Sequence, residues 1–194
     1  MRARASVYNR SMRKVILAAG ITLDGYIARP DGATDYLVMT KESSAVMSKF
    51  FSTIDAMVMG RKTYDAAMAI MGGVYQPPGP RTESYVFSRS QPPGERGGVI
   101  FTNESPAAWL RKIRKRRGKH VWHAGGGELA RSFLEADLVD EMFLGVVPIL
   151  LGDGLPLFPP RFRQCDFTLV ENKTYSKSQI SLTYRRMRAK RKRK

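Results

Sequence analysis

The chain has 194 residues, 43% of them hydrophobic, enough to bury the core of a single domain. Its one cysteine, Cys165, excludes an intramolecular disulfide framework and a cysteine-rich zinc site. The formal net charge of +16 is concentrated in residues 1–14, 111–119 and 185–194, which hold 20 of the 33 Lys and Arg and no acidic residue, so the remainder is mildly acidic.

Residues 1–12 and 188–194 therefore read as disordered basic extensions of a domain at 13–187, with the basic tail as the only route to nucleic acid. No apolar run reaches the ~18 residues of a membrane span, and MRARASVYNRSMRK lacks the apolar middle of a secretory signal. Together with the lone cysteine, this predicts a soluble cytoplasmic protein.

The apolar run Val15 to Ala19 reads as a buried strand, followed by a loop with Asp24-Gly25 and Asp31-Gly32 turn signals. ESSAVMSKFF then predicts a Ser-capped helix with Val46, Phe50 and Phe51 on one face. A short buried strand around Ala56 to Met59 follows, and Gly60 opens a second helix. Past the QPPGP loop come two strand candidates, SYVFSR and GGVIFT. The next helix has Ser105 as cap, Pro106 at the first helical position, Trp109 and Ile113 on one side, Gly118 as stop and a basic side facing water. HVWHAGGGELARSFL repeats the order of strand, glycine and helix, with Leu129 and Phe133 four apart. DEMFLGVVPILLGDG reads as a strand and loop, and FTLVENKTYSKSQISLTYRRM as an antiparallel pair. Helical connections between the earlier strands imply a mostly parallel sheet with an antiparallel edge.

Two stretches, MVMGRKTYD and VWHAGGGEL, place glycine and a helix start directly after a buried strand. Helix N-termini present unpaired N–H groups and the positive end of a dipole, so both are candidate phosphate cradles. Neither matches G-x-G-x-x-G or G-x-x-x-x-G-K-[ST], and for either stretch alone simple chain turning is the better account of the glycines. His120 and His123, three apart on a strand, face opposite sides and lack a cysteine or acidic cluster, so they read as structural and no metal site is expected. Met47, Phe50 and Phe51 could line a pocket, but apolar residues at helical spacing read first as core.

The ordered motifs VILAAGITLDGYIA, MVMGRKTYD, YVFSR, AGGGELARSFL and GVVPILLGDGLPLF resemble the dihydrofolate reductase-like superfamily. The likeness is nearest to the C-terminal reductase domain of bacterial riboflavin-biosynthesis enzymes and its stand-alone relatives. The deaminase half of the bifunctional enzymes cannot be assembled from one cysteine. The resemblance implies an α/β fold: a central, mostly parallel mixed sheet with an antiparallel edge, flanked by helices. It also implies NADPH as cofactor, hydride transfer to a small polar or heterocyclic substrate, as in a 5-amino-6-(5-phosphoribosylamino)uracil reductase or a dihydrofolate reductase, and a homodimer paired through sheet edges or late strands. By the same resemblance, Gly60, Arg61, Lys62 and Thr63 hold cofactor phosphates, and Ser88 and Arg89 contact the adenosine 2′-phosphate. Gly125, Gly126 and Gly127, followed by Glu128, line the pyrophosphate and nicotinamide side, and Ala19 and Gly20 lie near the nicotinamide. A cis peptide is expected between Gly125 and Gly126, with both peptide N–H groups turned toward the cofactor. Asp24 is the substrate-facing polar group, orienting rather than donating a proton, because an exposed aspartate with a pKa of about 3.9 is a poor acid at neutral pH. The rival readings are a non-catalytic nucleotide-binding protein of this fold and a nucleic-acid-binding protein acting through its basic segments.

Overall fold

The computed structural model describes residues 12–175 and 179–188. The expected extensions 1–12 and 188–194 lie outside the described residues except for Met12 and Arg188. In chain order the elements are β1 (Val15–Thr22), β2 (Tyr26–Ala28), α1 (Lys41–Ser52), β3 (Ile54–Gly60), α2 (Arg61–Ile70), β4 (Glu83–Phe87), β5 (Gly94–Arg96) and β6 (Val99–Thr102). They continue as α3 (Pro106–Arg114), β7 (His120–His123), α4 (Gly127–Glu135), β8 (Glu141–Val147), β9 (Leu155–Pro156), β10 (Phe167–Tyr175) and β11 (Gln179–Arg186).

Nine strands form one sheet in the order β10-β11-β8-β1-β7-β3-β4-β6-β5, and β2 pairs with β9 in a small second sheet. The inner run from β8 to β6 is parallel throughout. Both flanks are antiparallel, with β11 against β8 and β10 against β11 on one side and β5 against β6 on the other. The mixed α/β sheet and the late antiparallel pair are thus as the sequence implies, with a second antiparallel edge at β5.

Parallel strands are covered on both faces, which explains their near-continuous apolar runs. On one face α3 buries Trp109, Leu110 and Ile113 and α4 buries Ala130, Phe133 and Leu134, against Val15, Leu17, Val58 and Val121. Full burial of each large side chain contributes about 1.5–3 kcal/mol. On the other face Met57, Met59 and Val86 meet Tyr64 and Met68 of α2, while Phe50 and Phe51 of α1 pack on Trp122.

Local signals differ from expectation in three places. Thr40, not a serine, caps α1, in a reciprocal box with Ser43 that satisfies donors at the helix start. Ser105 and Pro106 start α3 as predicted, but the helix ends at Arg114, before Gly118. A Cβ on Gly118 would overlap the Asp55 carboxylate and the Arg13 guanidinium, so that glycine makes room for an ion pair rather than stopping a helix. The basic side of this segment is also only partly solvated, since Arg114 reaches Asp140 at 2.6 Å and Arg116 reaches Glu83 at 2.6 Å.

Candidate active site

The parallel strands β1, β7, β3 and β4 are neighbours and end on one edge of the sheet. That edge gathers all the predicted site residues: Ala19, Gly20 and Asp24 on and after β1, Gly60 to Thr63 after β3, Ser88 and Arg89 after β4, and Gly125 to Glu128 after β7. The carboxyl edge of such a sheet is the ordinary place for a ligand crevice.

The two glycine stretches are bonded to each other. The peptide between Gly125 and Gly126 is cis. Its carbonyl oxygen accepts from the Gly60 N–H at 3.2 Å, and its N–H donates to Thr63 Oγ1 at 2.9 Å. The Gly125 N–H donates to His123 Nδ1 at 3.1 Å. The N–H groups of Gly125 and Gly126 are therefore engaged inside the protein, which corrects the expectation that they turn toward the cofactor. What this edge leaves uncapped is the first turn of each helix: Gly60 caps α2 and Gly126 caps α4, neither with a side-chain acceptor. Two positive helix ends held side by side can take a dianion.

The three glycines of the triplet serve different contacts. Gly125 has φ +102°, a conformation that favours glycine. A Cβ on Gly126 would lie 3.1 Å from Thr63 Oγ1. A Cβ on Gly127 would overlap the Pro156 carbonyl oxygen and lie 3.0 Å from Pro159 Cδ, so Gly127 is bare because the chain's own late segment crosses it. Gly60 is the reverse case, with nothing within 4 Å of an added Cβ. Gly20 faces Leu37, whose Cδ2 would be 2.9 Å from a Cβ there.

The charged candidates separate in the same way. The Arg61 guanidinium is ion-paired to Asp65 one turn along its helix, a pairing visible in their i,i+4 spacing. Lys62 and Arg89 are exposed and form no ion pair among the described residues. Ser88 is buried; its oxygen accepts from the N–H groups of Gln91 at 3.0 Å and Ser90 at 3.3 Å, and its hydroxyl lies 3.4 Å from the Ser90 hydroxyl, with which it shares a hydrogen bond. Glu128 pairs with Arg131 at 2.6 Å, and its carboxylate favours the positive end of α4 on the solvent side.

Asp24 joins two loops 127 residues apart in sequence. Its Oδ1 accepts from the Thr22 hydroxyl at 2.5 Å, and its Oδ2 from the N–H groups of Leu151 at 3.0 Å and Gly152 at 2.8 Å. Those bonds, the Thr22 hydroxyl first, hold the carboxyl below the usual aspartate range, so Asp24 is ionised at neutral pH. Leu23 N–H to Ile149 O, Leu157 N–H to Gly25 O and the β2–β9 pair complete the seam. Sequence reasoning placed Asp24 in the site and counted the late Gly-Asp-Gly loop in the resemblance, but it missed that the loop's N–H groups are the donors to Asp24, because the same residues read equally well as a strand-ending turn.

His123 is fully buried, edge-on to Phe133, and burial pushes its pKa down to about 4. A neutral ring accepting at Nδ1 carries its proton on Nε2, which fixes the tautomer. His120 lies half-buried at the opposite end of β7, where its Nδ1 accepts from the Lys14 N–H at 3.3 Å. Both are structural, as their spacing suggests. Behind β1 and β7, Trp122 donates its indole N–H to the Ala18 carbonyl at 3.0 Å, and Phe50 stacks on Phe143, so the predicted aromatic face of α1 is packing. Among the described residues no group of His, Cys, Asp and Glu could hold a metal ion, and no helix is long and apolar enough to cross a membrane.

Comparison with known proteins gives a family. The model of the RibD C-terminal domain matches residues 13–180. Two Bacillus subtilis (strain 168) proteins described as uncharacterized are similar: YwjB, 35% identical over 75% of this chain and 83% of its own length, and YyaP, 31% identical over 91% and 96%. Among solved structures, a Shewanella sp. PV-4 protein provisionally assigned to riboflavin biosynthesis superposes with a TM-score of 0.74 at 27% identity, over 90% of this chain and 99% of its own. Dihydrofolate reductase from Enterococcus faecalis, solved with NADP(H), superposes at 0.64 and 19% identity over 89% and 96%, a likeness of fold.

Proposed function

The chain belongs to the RibD C-terminal domain family, and on that premise we propose that it is an NADPH-dependent reductase acting on a small polar or heterocyclic substrate. The observation that carries this reading is the joined pair of uncapped helix starts, α2 and α4, beside open space at Gly60. A dinucleotide pyrophosphate fits that arrangement, because its charge meets two sets of free N–H groups and no side chain stands over Gly60.

The first-turn amides of α2 and α4, with Lys62, hold the pyrophosphate. Arg89, with the Ser88 and Ser90 hydroxyls beside it, takes the 2′-phosphate, for which a planar guanidinium is well shaped. Arg61, drawn to Asp65, contributes to the field at the helix start rather than by direct contact. When bound, the cofactor supplies the hydride. The chain's own part is placement: β1 at Ala19 and Gly20 forms the floor under the nicotinamide, and the Asp24 seam fixes the loop over the substrate. Asp24, ionised and accepting from three donors, orients a substrate hydroxyl and supplies no proton at neutral pH.

The protein acts in the cytoplasm as a homodimer. Support for pairing comes from the late strands, where β10 is an edge of the large sheet and exposes Leu169 and Val170; light scattering showing a monomer at every concentration would contradict it. The function itself is tested by titrating NADPH and NADH, then following NADPH oxidation across carbonyl and imine compounds. Preferential NADPH binding, selectively weakened by Arg89→Ala, is expected together with turnover of at least one compound. Equal affinity for both cofactors refutes the role of Arg89, and NADPH binding without turnover favours a non-catalytic nucleotide-binding protein.

A further inference from the structure

Most of the positive charge takes no part in the site at the carboxyl ends of the strands. It gathers at the opposite pole. Arg13 and Lys14 lead into β1, the 111–119 segment leads into β7, and β11, antiparallel to β8, ends at Arg186 beside the start of β8. Asp140 is where all three meet: its carboxylate accepts from the Val15 N–H at 2.9 Å, from Arg114 at 2.6 Å and from Arg188 at 2.8 Å. Arg114 also donates to the Arg13 carbonyl at 3.1 Å. Three basic runs far apart in sequence thus become one surface, from which the described chain departs at Met12 and at Arg188.

The acids of this pole neutralise an inner ring of cations. Asp55 pairs with Arg13, Glu83 with Arg116, Asp137 with Arg186 and Arg188, and Glu141 with Lys14 and Arg185. Outside that ring Arg111, Lys115 and Arg117 are exposed and form no ion pair among the described residues. The flanking sequence adds only to the excess: residues 1–11 contain three Arg and residues 189–194 five Lys or Arg, with no acid in either. Fold stability alone gives no reason for these additional cations, since like charges in proximity repel.

We infer that this pole docks the phosphate backbone of duplex nucleic acid, without sequence preference. Cations spread over three segments suit a polymer with phosphates at regular spacing, and Arg and Lys contacts to phosphate position a protein without reading bases. A single strand would call for aromatic platforms, and no aromatic side chain among the described residues is exposed. A lipid surface would favour an amphipathic helix with a broad apolar face, whereas the exposed apolar side chains at the chain exits are Met12 and Met187.

The test is fluorescence anisotropy of a short labelled DNA duplex with the full chain, between about 50 and 200 mM salt. The expected log–log slope of affinity against salt is about −4 or steeper, as for roughly five or more phosphate contacts. The triple variant Arg111→Ala, Lys115→Ala, Arg117→Ala, with both flanks intact, is expected to bind at least tenfold more weakly and to lose about 2–3 from the slope magnitude. Its thermal unfolding and NADPH affinity serve as folding controls. No binding at low salt, a slope shallower than about −1, or a folded triple variant that binds like the parent would overturn the inference. So would tighter binding to phosphatidylglycerol vesicles, or to a single strand of equal length, than to the duplex.

Discussion

One substitution made at two glycines separates packing from ligand space. At Gly127 an added Cβ overlaps the Pro156 carbonyl oxygen and presses on Pro159 Cδ at 3.0 Å, so either α4 or the late segment must shift. Overpacking of that kind costs about 1–3 kcal/mol, with the upper end expected because one neighbour is backbone. At Gly60 nothing lies within 4 Å and φ is −77°, which any residue adopts. Alanine there loses a few tenths of a kcal/mol or more as a helix cap, and regains about 0.4–1 kcal/mol by restricting the unfolded chain. Gly60→Ala is therefore expected to stay within about 0.5 kcal/mol of the parent in stability while losing tenfold or more in NADPH affinity, equivalent to about 1.4 kcal/mol. Urea unfolding and equilibrium titration of each variant provide the two axes. A Gly127→Ala protein as stable as the parent, or a Gly60→Ala protein with unchanged NADPH affinity, would refute the division.

Asp24→Asn should lower turnover while leaving NADPH affinity within about twofold, since the carboxylate joins the loop after β1 to the loop after β8 and not to the helix starts; loss of NADPH binding by a folded variant would contradict that. Because the folded-state pKa of Asp24 is lowered, its tie is present at neutral pH and is lost only as pH falls through that value, below about 3.9, so activity should show no Asp24 titration between pH 5 and 8. His123 works at higher pH. Its folded pKa, about 4, lies below the unfolded value of 6.5, so the unfolded chain takes up a proton first and stability falls as pH drops from about 6.5 toward 4, by up to about 3 kcal/mol. His123→Asn, which keeps an acceptor for the Gly125 N–H, should be less stable at pH 7 and lack this share of the slope; urea unfolding at pH 7 and 5 that gives parallel shifts for parent and variant would contradict it.

The parts of the fold legible in the sequence are those with local causes. The runs Val15 to Ala19 and Ala56 to Met59 are apolar because parallel strands are buried on both faces, and Ser105-Pro106 starts α3 by capping chemistry available within four residues. The short strands β2, β5 and β9 have two or three residues each and no apolar alternation, so only tertiary pairing makes them strands. The site divides along the same line. Glycine before a helix start marks Gly60 and Gly126, but which atom approaches Gly127 is decided by a segment about 30 residues later, and the donors to Asp24 come from a loop 127 residues away. The pairing of Arg61 with Asp65 was missed, although their i,i+4 spacing carries the signal, and it bears directly on which cations are free for phosphate.

The most direct test of the central claim is a crystal structure of this chain determined with NADPH. The expected result places the pyrophosphate across the first turns of α2 and α4, the 2′-phosphate beside Arg89 and Ser88, and the nicotinamide over Ala19 and Gly20. A dinucleotide bound elsewhere, or no dinucleotide at saturating concentration, would contradict it.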